Sequence, residues 1–257
     1  MKIIILTLFP DMFDGFLNNS IIKRAIDKKI VEVKVINIRD YTLDKYQRVD
    51  TPPIGGGAGL ILKCQPLVDA IRKNSNNKTH KILLSPRGET FKQRKAIELT
   101  EHREIMLIAG HYEGIDERVN NYIDEEISIG DYILTGGEIA SMAIADSIIR
   151  LLDGAINKES LKEESFTSPL LEYPQYTEPF DFEGHQVPLI LYTGNHQAIE
   201  KYRQKEAIKL TRSHRPDLFK NYKLTKLDQK LIKELDENNN NPKWLITALE
   251  KGKKFLK

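Results

Sequence analysis

The feature that most restricts what this chain can fold into is a series of short apolar runs that end abruptly in glycine. Ile105–Ala109 runs into Gly110, and Ile127 and Ile129 lead into Gly130. Strands buried in a sheet that stop at glycine deliver bare backbone to a ligand at the sheet's carboxyl edge. The two segments that begin there, Ile108–Arg118 and Ile127–Glu138, both carry glycines and acids. Because Gly130, Gly136 and Gly137 have no Cβ, main-chain N–H and C=O groups there can approach a flat heterocycle closely. An adenine suits such a surface.

Runs at Ile3–Leu8, Val31–Ile38, Lys81–Leu84, Ile105–Ile108 and Glu126–Leu134 predict strands. Helical patterns separate them at Pro66–Lys73, Phe91–Glu101 and Glu138–Leu152, the last with Ile139, Met142, Ala143, Ile149 and Leu152 on one face. The alternation predicts an α/β domain with a mostly parallel sheet over residues 1–156. Asn157–Ser168 is polar and charged and is followed by Pro169, Pro174, Pro179 and Pro188, which predicts a mobile linker over 157–172. The remainder, 173–257, reads as a small helical domain. Asn195–Leu210 is a basic amphipathic helix with Asn195 as its N-cap, Lys226–Leu256 adds further helix, and Asn238–Asn241 marks a loop.

The formal net charge of +2 conceals an uneven distribution. From Asn195 to Lys257 there are 16 Lys or Arg against 8 Asp or Glu, whereas residues 1–194 hold 23 against 29. A basic module therefore follows an acidic one, as expected for phosphate contacts, although a lysine-rich solvated surface has the same composition. The single cysteine, Cys64, excludes an internal disulfide and fits a cytoplasmic protein. The apolar start, Ile3–Phe9, is far shorter than the roughly 20 residues of a membrane helix.

Several segments are candidates for chemistry. Gly55–Gly59 lacks the Gly-Lys-Ser/Thr ending of a nucleotide phosphate loop and reads instead as a flexible loop beside Asp50. Ser85-Pro86-Arg87-Gly88 is either an ordinary turn or one wall of a binding site. Asp116 and Glu117 fit the start of a helix, while Glu113 is a candidate for ligand contact. None of the six histidines has metal-ligand spacing, and no nucleophile elbow is present. Glu172 leaves the linker beside Tyr173 and Tyr176, where a carboxylate could close over a substrate and accept a proton. On its own it reads equally as a surface acid.

These residues together resemble the bacterial tRNA guanine-N1 methyltransferases, members of the SPOUT class. The likeness is carried by Leu8–Pro10, Gly55–Gly59, Ser85-Pro-x-Gly88, Gly110-x-Tyr-Glu-Gly-Ile-Asp-Glu-Arg118 and Ile129-Gly-Asp-Tyr-x-Leu134 with Gly136-Gly-Glu138. Pro174-x-Tyr-Thr177, Gly194-Asn-His196 and Arg215-Pro-Asp217 extend it towards the C-terminus. The resemblance implies a deep trefoil knot, a homodimer with active sites at the subunit interface, no membrane association, and S-adenosylmethionine as methyl donor. It implies donor contacts at Leu84, Pro86, Gly110, Glu113, Gly114, Ile129, Gly130, Asp131, Tyr132, Ile133, Leu134, Gly136 and Gly137. It implies a methyl acceptor at N1 of the guanosine immediately 3′ of the anticodon, with Glu172 at the position of the general base, commonly Asp in the family. Contacts to tRNA are expected from Asp50, His196, Arg203, Arg212 and Arg215.

The chain departs from the family pattern in places. Asn157 and Lys158 stand where a linker arginine is expected, Asp50-Thr-Pro-Pro53 lacks an acid and an arginine, Ala58 replaces a proline, and Glu178 replaces an arginine. These changes bear on RNA more than on the methyl donor. The sequence leaves open a magnesium requirement, a SPOUT enzyme acting on a ribose hydroxyl or another RNA, and a binding protein that merely keeps the fold.

Overall fold

The apolar run near the N-terminus forms β1, Lys2–Thr7, inside a five-stranded sheet of the computed structural model. The structure describes residues 1–157, 165, 166 and 169–252. The chain divides into two units, Met1–Lys158 and Glu159–Lys257. Of the linker expected over 157–172, residues 158–164, 167 and 168 lie outside the described residues.

In the first unit β1 is followed by α1 (Asp14–Leu17), α2 (Ser20–Asp27) and β2 (Glu32–Asn37). A short pair, β3 (Asp50–Thr51) and β4 (Ile61–Leu62), precedes α3 (Cys64–Asn74), β5 (Thr79–Thr90), α4 (Gln93–Leu99), β6 (Glu104–Ala109), β7 (Glu125–Ser128) and α5 (Glu138–Ile149). The sheet order is β2-β1-β6-β5-β7, and every neighbouring pair is parallel. Alternate side chains fill two layers, as the period of two in a strand requires. Ile3 and Ile5 join Ile105, Leu107 and the α5 residues Ile144, Ala145 and Ile148 on one face. Ile4 and Leu6 join Met106, Ile108 and the α3 residues Leu67, Ala70 and Ile71 on the other. Strands covered on both faces need a continuous apolar sequence, which explains Ile-Ile-Ile-Leu in β1 and Ile-Met-Leu-Ile in β6. Truncating Ile5, fully buried, to Ala costs about 2–5 kcal/mol.

Three expectations are corrected. The strand expected over Glu126–Leu134 ends at Ser128, because Gly130 takes φ +151° and turns the chain. The strand expected at Lys81–Leu84 continues to Thr90 across a register shift between Leu84 and Glu89, so Ser85–Gly88 is a bulge within β5. On α5 the core face is Ala140, Ser141, Ile144, Ala145 and Ile148 together with Ile149, whereas Ile139 and Ala143 are exposed. That helix is apolar nearly all round, so periodicity alone does not single out its buried face.

The second unit begins, among its regular elements, with a hairpin of β8 (Asp181–Phe182) and β9 (His185–Gln186) that the sequence pattern did not suggest. Glu183 and Gly184 both take positive φ at its tip, the backbone of a two-residue hairpin turn. Helices α6 (His196–His214), α7 (Pro216–Lys220), α8 (Lys226–Asp236) and α9 (Lys243–Gly252) follow. Asn195 caps α6 as expected, its side chain accepting the Ala198 N–H at 3.2 Å. A capping box between Thr225 and Asp228 starts α8. The α6 residues Ala207 and Ile208 pack with Leu170 and Leu231 in one small core, and Ala198 packs with Ile190 and Ala248 of α9 in another.

Candidate functional site

In the first unit three segments leave the carboxyl edge of neighbouring parallel strands: Ser85–Gly88 in β5, the loop from Gly110 after β6, and the loop from Ile129 after β7. The latter two are joined by main chain. Gly137 donates its N–H to the Gly110 carbonyl at 2.7 Å, and His111 and Gly136 form an isolated antiparallel bridge. A Cβ on Gly137 would lie 2.7 Å from Ala109 Cα and 2.8 Å from Gly110 N, so only glycine permits this crossing. Gly88 fits against the Glu126–Ile127 peptide in the same way and lets β5 close on β7.

The turn after β7 is built on a serine. Ser128 Oγ accepts the Gly130 N–H at 3.2 Å and donates to the Gly130 carbonyl at 3.1 Å, and the Tyr132 N–H donates to the same carbonyl at 2.9 Å. Asp131, Tyr132 and Ile133 are therefore held outward, with Tyr132 54% and Ile133 79% exposed. Ile129, Gly130, Leu134 and Gly136 are half-buried. Leu84 is buried at the edge where Pro86 is exposed.

The loop after β6 is tied to the glycine-rich segment. The Glu113 N–H donates to the Leu60 carbonyl at 3.0 Å, Leu62 donates to the Gly114 carbonyl at 2.9 Å, and Asp116 donates to the Leu62 carbonyl at 3.0 Å. Gly59 lies where the Glu113 side chain passes and takes φ +71°. Asp50 belongs to the β3–β4 pair that carries this loop. Asp116 serves as an N-cap, accepting the Arg118 N–H at 3.0 Å, and hydrogen bonds from Arg118 hold its carboxyl below the usual range.

Thr7 and Glu138, which the sequence left without a role, form a buried pair beside His111. Thr7 Oγ1 donates to Glu138 Oε1 at 2.8 Å, and Glu138 is 2% exposed. His111 Nδ1, 3.9 Å from Glu138 Oε2, is buried without a hydrogen-bond partner among the described residues. Phe9 packs on the His111 ring with centroids 4.8 Å apart. Leu8-Phe9-Pro10 and the glutamate that closes Gly136-Gly137-Glu138 were the available signals, since neither Phe9 nor Glu138 had been given a ligand role.

In the second unit the Glu172 N–H donates to Ser165 Oγ at 2.9 Å, and its carboxylate accepts from Gln175 Nε2. The three arginines singled out in the sequence differ sharply. Arg212 Nη1 donates to Asp236 at 2.8 Å, and Arg215 makes a two-pronged bond to Asp217 at 2.9 and 2.7 Å. The Arg215 guanidinium draws the Asp217 carboxyl down to about 2. Arg203 instead lies over the Tyr173 ring, 4.6 Å from its centroid, with Nε buried and lacking a hydrogen-bond partner among the described residues. His196 is exposed in the first turn of α6.

A family model described as tRNA (Guanine-1)-methyltransferase TrmD matches residues 1–221. The chain belongs to this family. Among similar TrmD-type proteins is a tRNA (guanine-N(1)-)-methyltransferase of Clostridium botulinum (strain Eklund 17B / Type B), 54% identical over 234 residues, or 90% of this chain and 98% of the relative. The protein of the same description from Clostridium novyi (strain NT) is 54% identical over 90% of this chain and 97% of its own length. That from Clostridium tetani (strain Massachusetts / E88) is 52% identical over the same shares. The TrmD model covers the whole three-loop edge, Glu172 and all of α6 and α7, and it ends before α8 and α9. Among the described residues no helix is long and apolar enough to cross a membrane, and no three His, Cys, Asp or Glu side chains form a group that could hold a metal ion.

Proposed function

We propose that this chain transfers a methyl group from S-adenosylmethionine to N1 of the guanosine immediately 3′ of the anticodon in tRNA. The observation that carries the reading is the near full-length match to relatives described as tRNA (guanine-N(1)-)-methyltransferases, at 52–54% identity. The edge of the sheet fits the donor. Backbone groups of Gly110, Gly114, Ile129, Gly130, Gly136 and Gly137 suit the edge of an adenine. Leu84, Pro86, Tyr132, Ile133 and Leu134 offer apolar surface, and Glu113 and Asp131 place carboxylates where a cationic ligand is favoured.

The donor supplies a methyl group on a sulfonium, already electrophilic. Guanine N1 carries a proton at neutral pH, so it becomes a nucleophile only when a base removes that proton. Glu172 is the group we assign to this step, and the three loops fix donor and acceptor in register, the larger share of catalysis when no bond must be activated on the donor. Arg203, Arg212, Arg215, His196 and Asp50 are assigned to the tRNA. Arg212 and Arg215 can exchange exposed carboxylates for phosphates at little cost, because solvent screens exposed ion pairs.

The trefoil knot, the domain limits 1–156, 157–172 and 173–257, the homodimer and a cytoplasmic location belong to the same proposal. Support for the dimer comes from apolar side chains left uncovered at Tyr132, Ile133 and Ile139, the last 51% exposed.

The test is incubation with methyl-labelled S-adenosylmethionine and two tRNA transcripts, one with guanosine and one with adenosine 3′ of the anticodon. Label recovered as 1-methylguanosine from the first transcript alone is the expected result. Label on a ribose hydroxyl would instead favour a SPOUT enzyme of different specificity, and label in neither would overturn the reading.

A further inference from the structure

The second unit contains a cavity of about 520 Å³ whose lining includes Tyr173, Tyr176, Glu178, Tyr192, His196 and Arg203. Its volume lies within the roughly 300–1,000 Å³ of small-ligand sites. We propose that this cavity holds one nucleotide of the tRNA other than the methylated guanosine, with its phosphate towards Arg203 and His196 and its base among the tyrosines. The assignment rests on tRNA being the substrate.

Three observations carry it. First, among the described residues Arg203 is the one of the three α6-region arginines without a carboxylate partner, and its buried Nε lacks any hydrogen-bond partner there. A buried guanidinium N–H left unmet carries a desolvation penalty that nothing offsets, so a ligand acceptor is the natural complement. His196 and Arg203 are seven residues apart and share one face of α6, and His196 lies in the first turn of this 19-residue helix, where the macrodipole favours an anion. Second, Tyr173, Tyr176 and Tyr192 give the site aromatic surface that a bare anion would not use, and stacked bases do. Tyr173 is already fixed under the Arg203 guanidinium, and Tyr176 is hydrogen-bonded to Tyr202, whose hydroxyl is pushed well above the usual phenol range by burial and then by Glu206. Third, Glu178 brings a carboxylate, close enough to accept from Tyr192 at 3.5 Å. A carboxylate repels phosphate and accepts from base N–H groups, so it orients the nucleotide with its base edge towards Glu178. The base in this cavity is not the one deprotonated, because Glu172 is absent from the lining and its carboxylate is engaged by Gln175.

The experiment measures affinity of the full chain for labelled tRNA by fluorescence anisotropy, without methyl donor, using wild type, Arg203→Gln and Tyr176→Ala. Tyr176 is 44% exposed, so its truncation leaves the fold intact should Arg203→Gln not fold. Each variant is then tested against transcripts with a single abasic site moved through the anticodon stem-loop. Loss of one stacked base corresponds to roughly fivefold or more in affinity. We expect both variants to lose at least that, Arg212→Ala to lose less, and one abasic position to weaken wild type while adding nothing in Tyr176→Ala. If wild type forms 1-methylguanosine but every abasic position adds independently to both variants, the cavity assignment fails while the methyltransferase reading stands. If wild type forms no 1-methylguanosine, both fall.

Discussion

In the first unit the functional surface is main chain, held in place by glycines that let strands and loops touch; in the second it is a set of long side chains on one helix and its neighbouring loop. Gly137 fits only because nothing projects from its Cα towards Ala109, whereas Arg203 matters because everything useful in it projects from α6. The two designs are vulnerable to opposite changes. A backbone-built surface is damaged by adding atoms, and a side-chain site by removing or recharging them.

The largest effect should come from a change of one atom type in the second unit. Glu172→Gln keeps shape and removes the base, so single-turnover methyl transfer should fall about 10²–10⁴-fold while donor affinity, measured by calorimetry, stays within a factor of about two. Near-normal turnover would remove Glu172 from the chemistry. Next is an addition in the first unit: Gly137→Ala forces a methyl group against Ala109 and Gly110, and should cost the roughly 1–3 kcal/mol of overpacking together with most donor binding. A melting curve and donor titration like those of wild type would break the comparison at its strongest point.

A smaller effect is expected from reversing charge at Arg203 and Arg212. Affinity for tRNA should drop, and the log–log salt slope should flatten by about 0.7–0.9 for each phosphate that is no longer neutralised. An unchanged slope would place the RNA elsewhere. The smallest concerns stability of the second unit. Asp228 is 1% exposed and accepts from Thr225 N at 2.7 Å, Gln204 at 2.8 Å and Tyr222 at 2.9 Å. Burial alone would raise its carboxyl pKa, but these hydrogen bonds outweigh it and hold the group below its ordinary value. Its stabilisation is therefore complete above the unfolded value near 3.9 and is lost as pH falls through the lower folded value. Asp228→Asn should cost about 1 kcal/mol at pH 7 and flatten acid sensitivity in denaturant melts. An undiminished acid transition would assign that sensitivity to other carboxylates.

Much of the sheet was legible because strands covered on both faces must be apolar throughout, as β1 and β6 are. The Asn195 cap and the Asp116 cap were legible because each is a local contest between a side chain and nearby N–H groups. What misled the reading left no periodic trace in the sequence. The extent of β7 is decided by Ser128 folding back on Gly130, and the apolar sequence beyond it is left partly uncovered rather than buried. The buried face of α5 could not be chosen from periodicity in a helix with apolar residues on every side. Arg203 was named with Arg212 and Arg215, and only placement separates the one lying over a tyrosine from the two paired with carboxylates.

The bond between Thr7 and Glu138 joins residues 131 positions apart, and it ties the first strand to the last helix of its unit. On a ribosome this means that β1 emerges long before α5, the helix that covers one of its faces. At about 5–20 residues per second, roughly 7–26 s pass between the appearance of Thr7 and that of Glu138. Through that interval β1 can pair with β2, but the Ile3 and Ile5 face that α5 covers stays open, which makes the nascent first unit a natural client for chaperones that shield emerging chains.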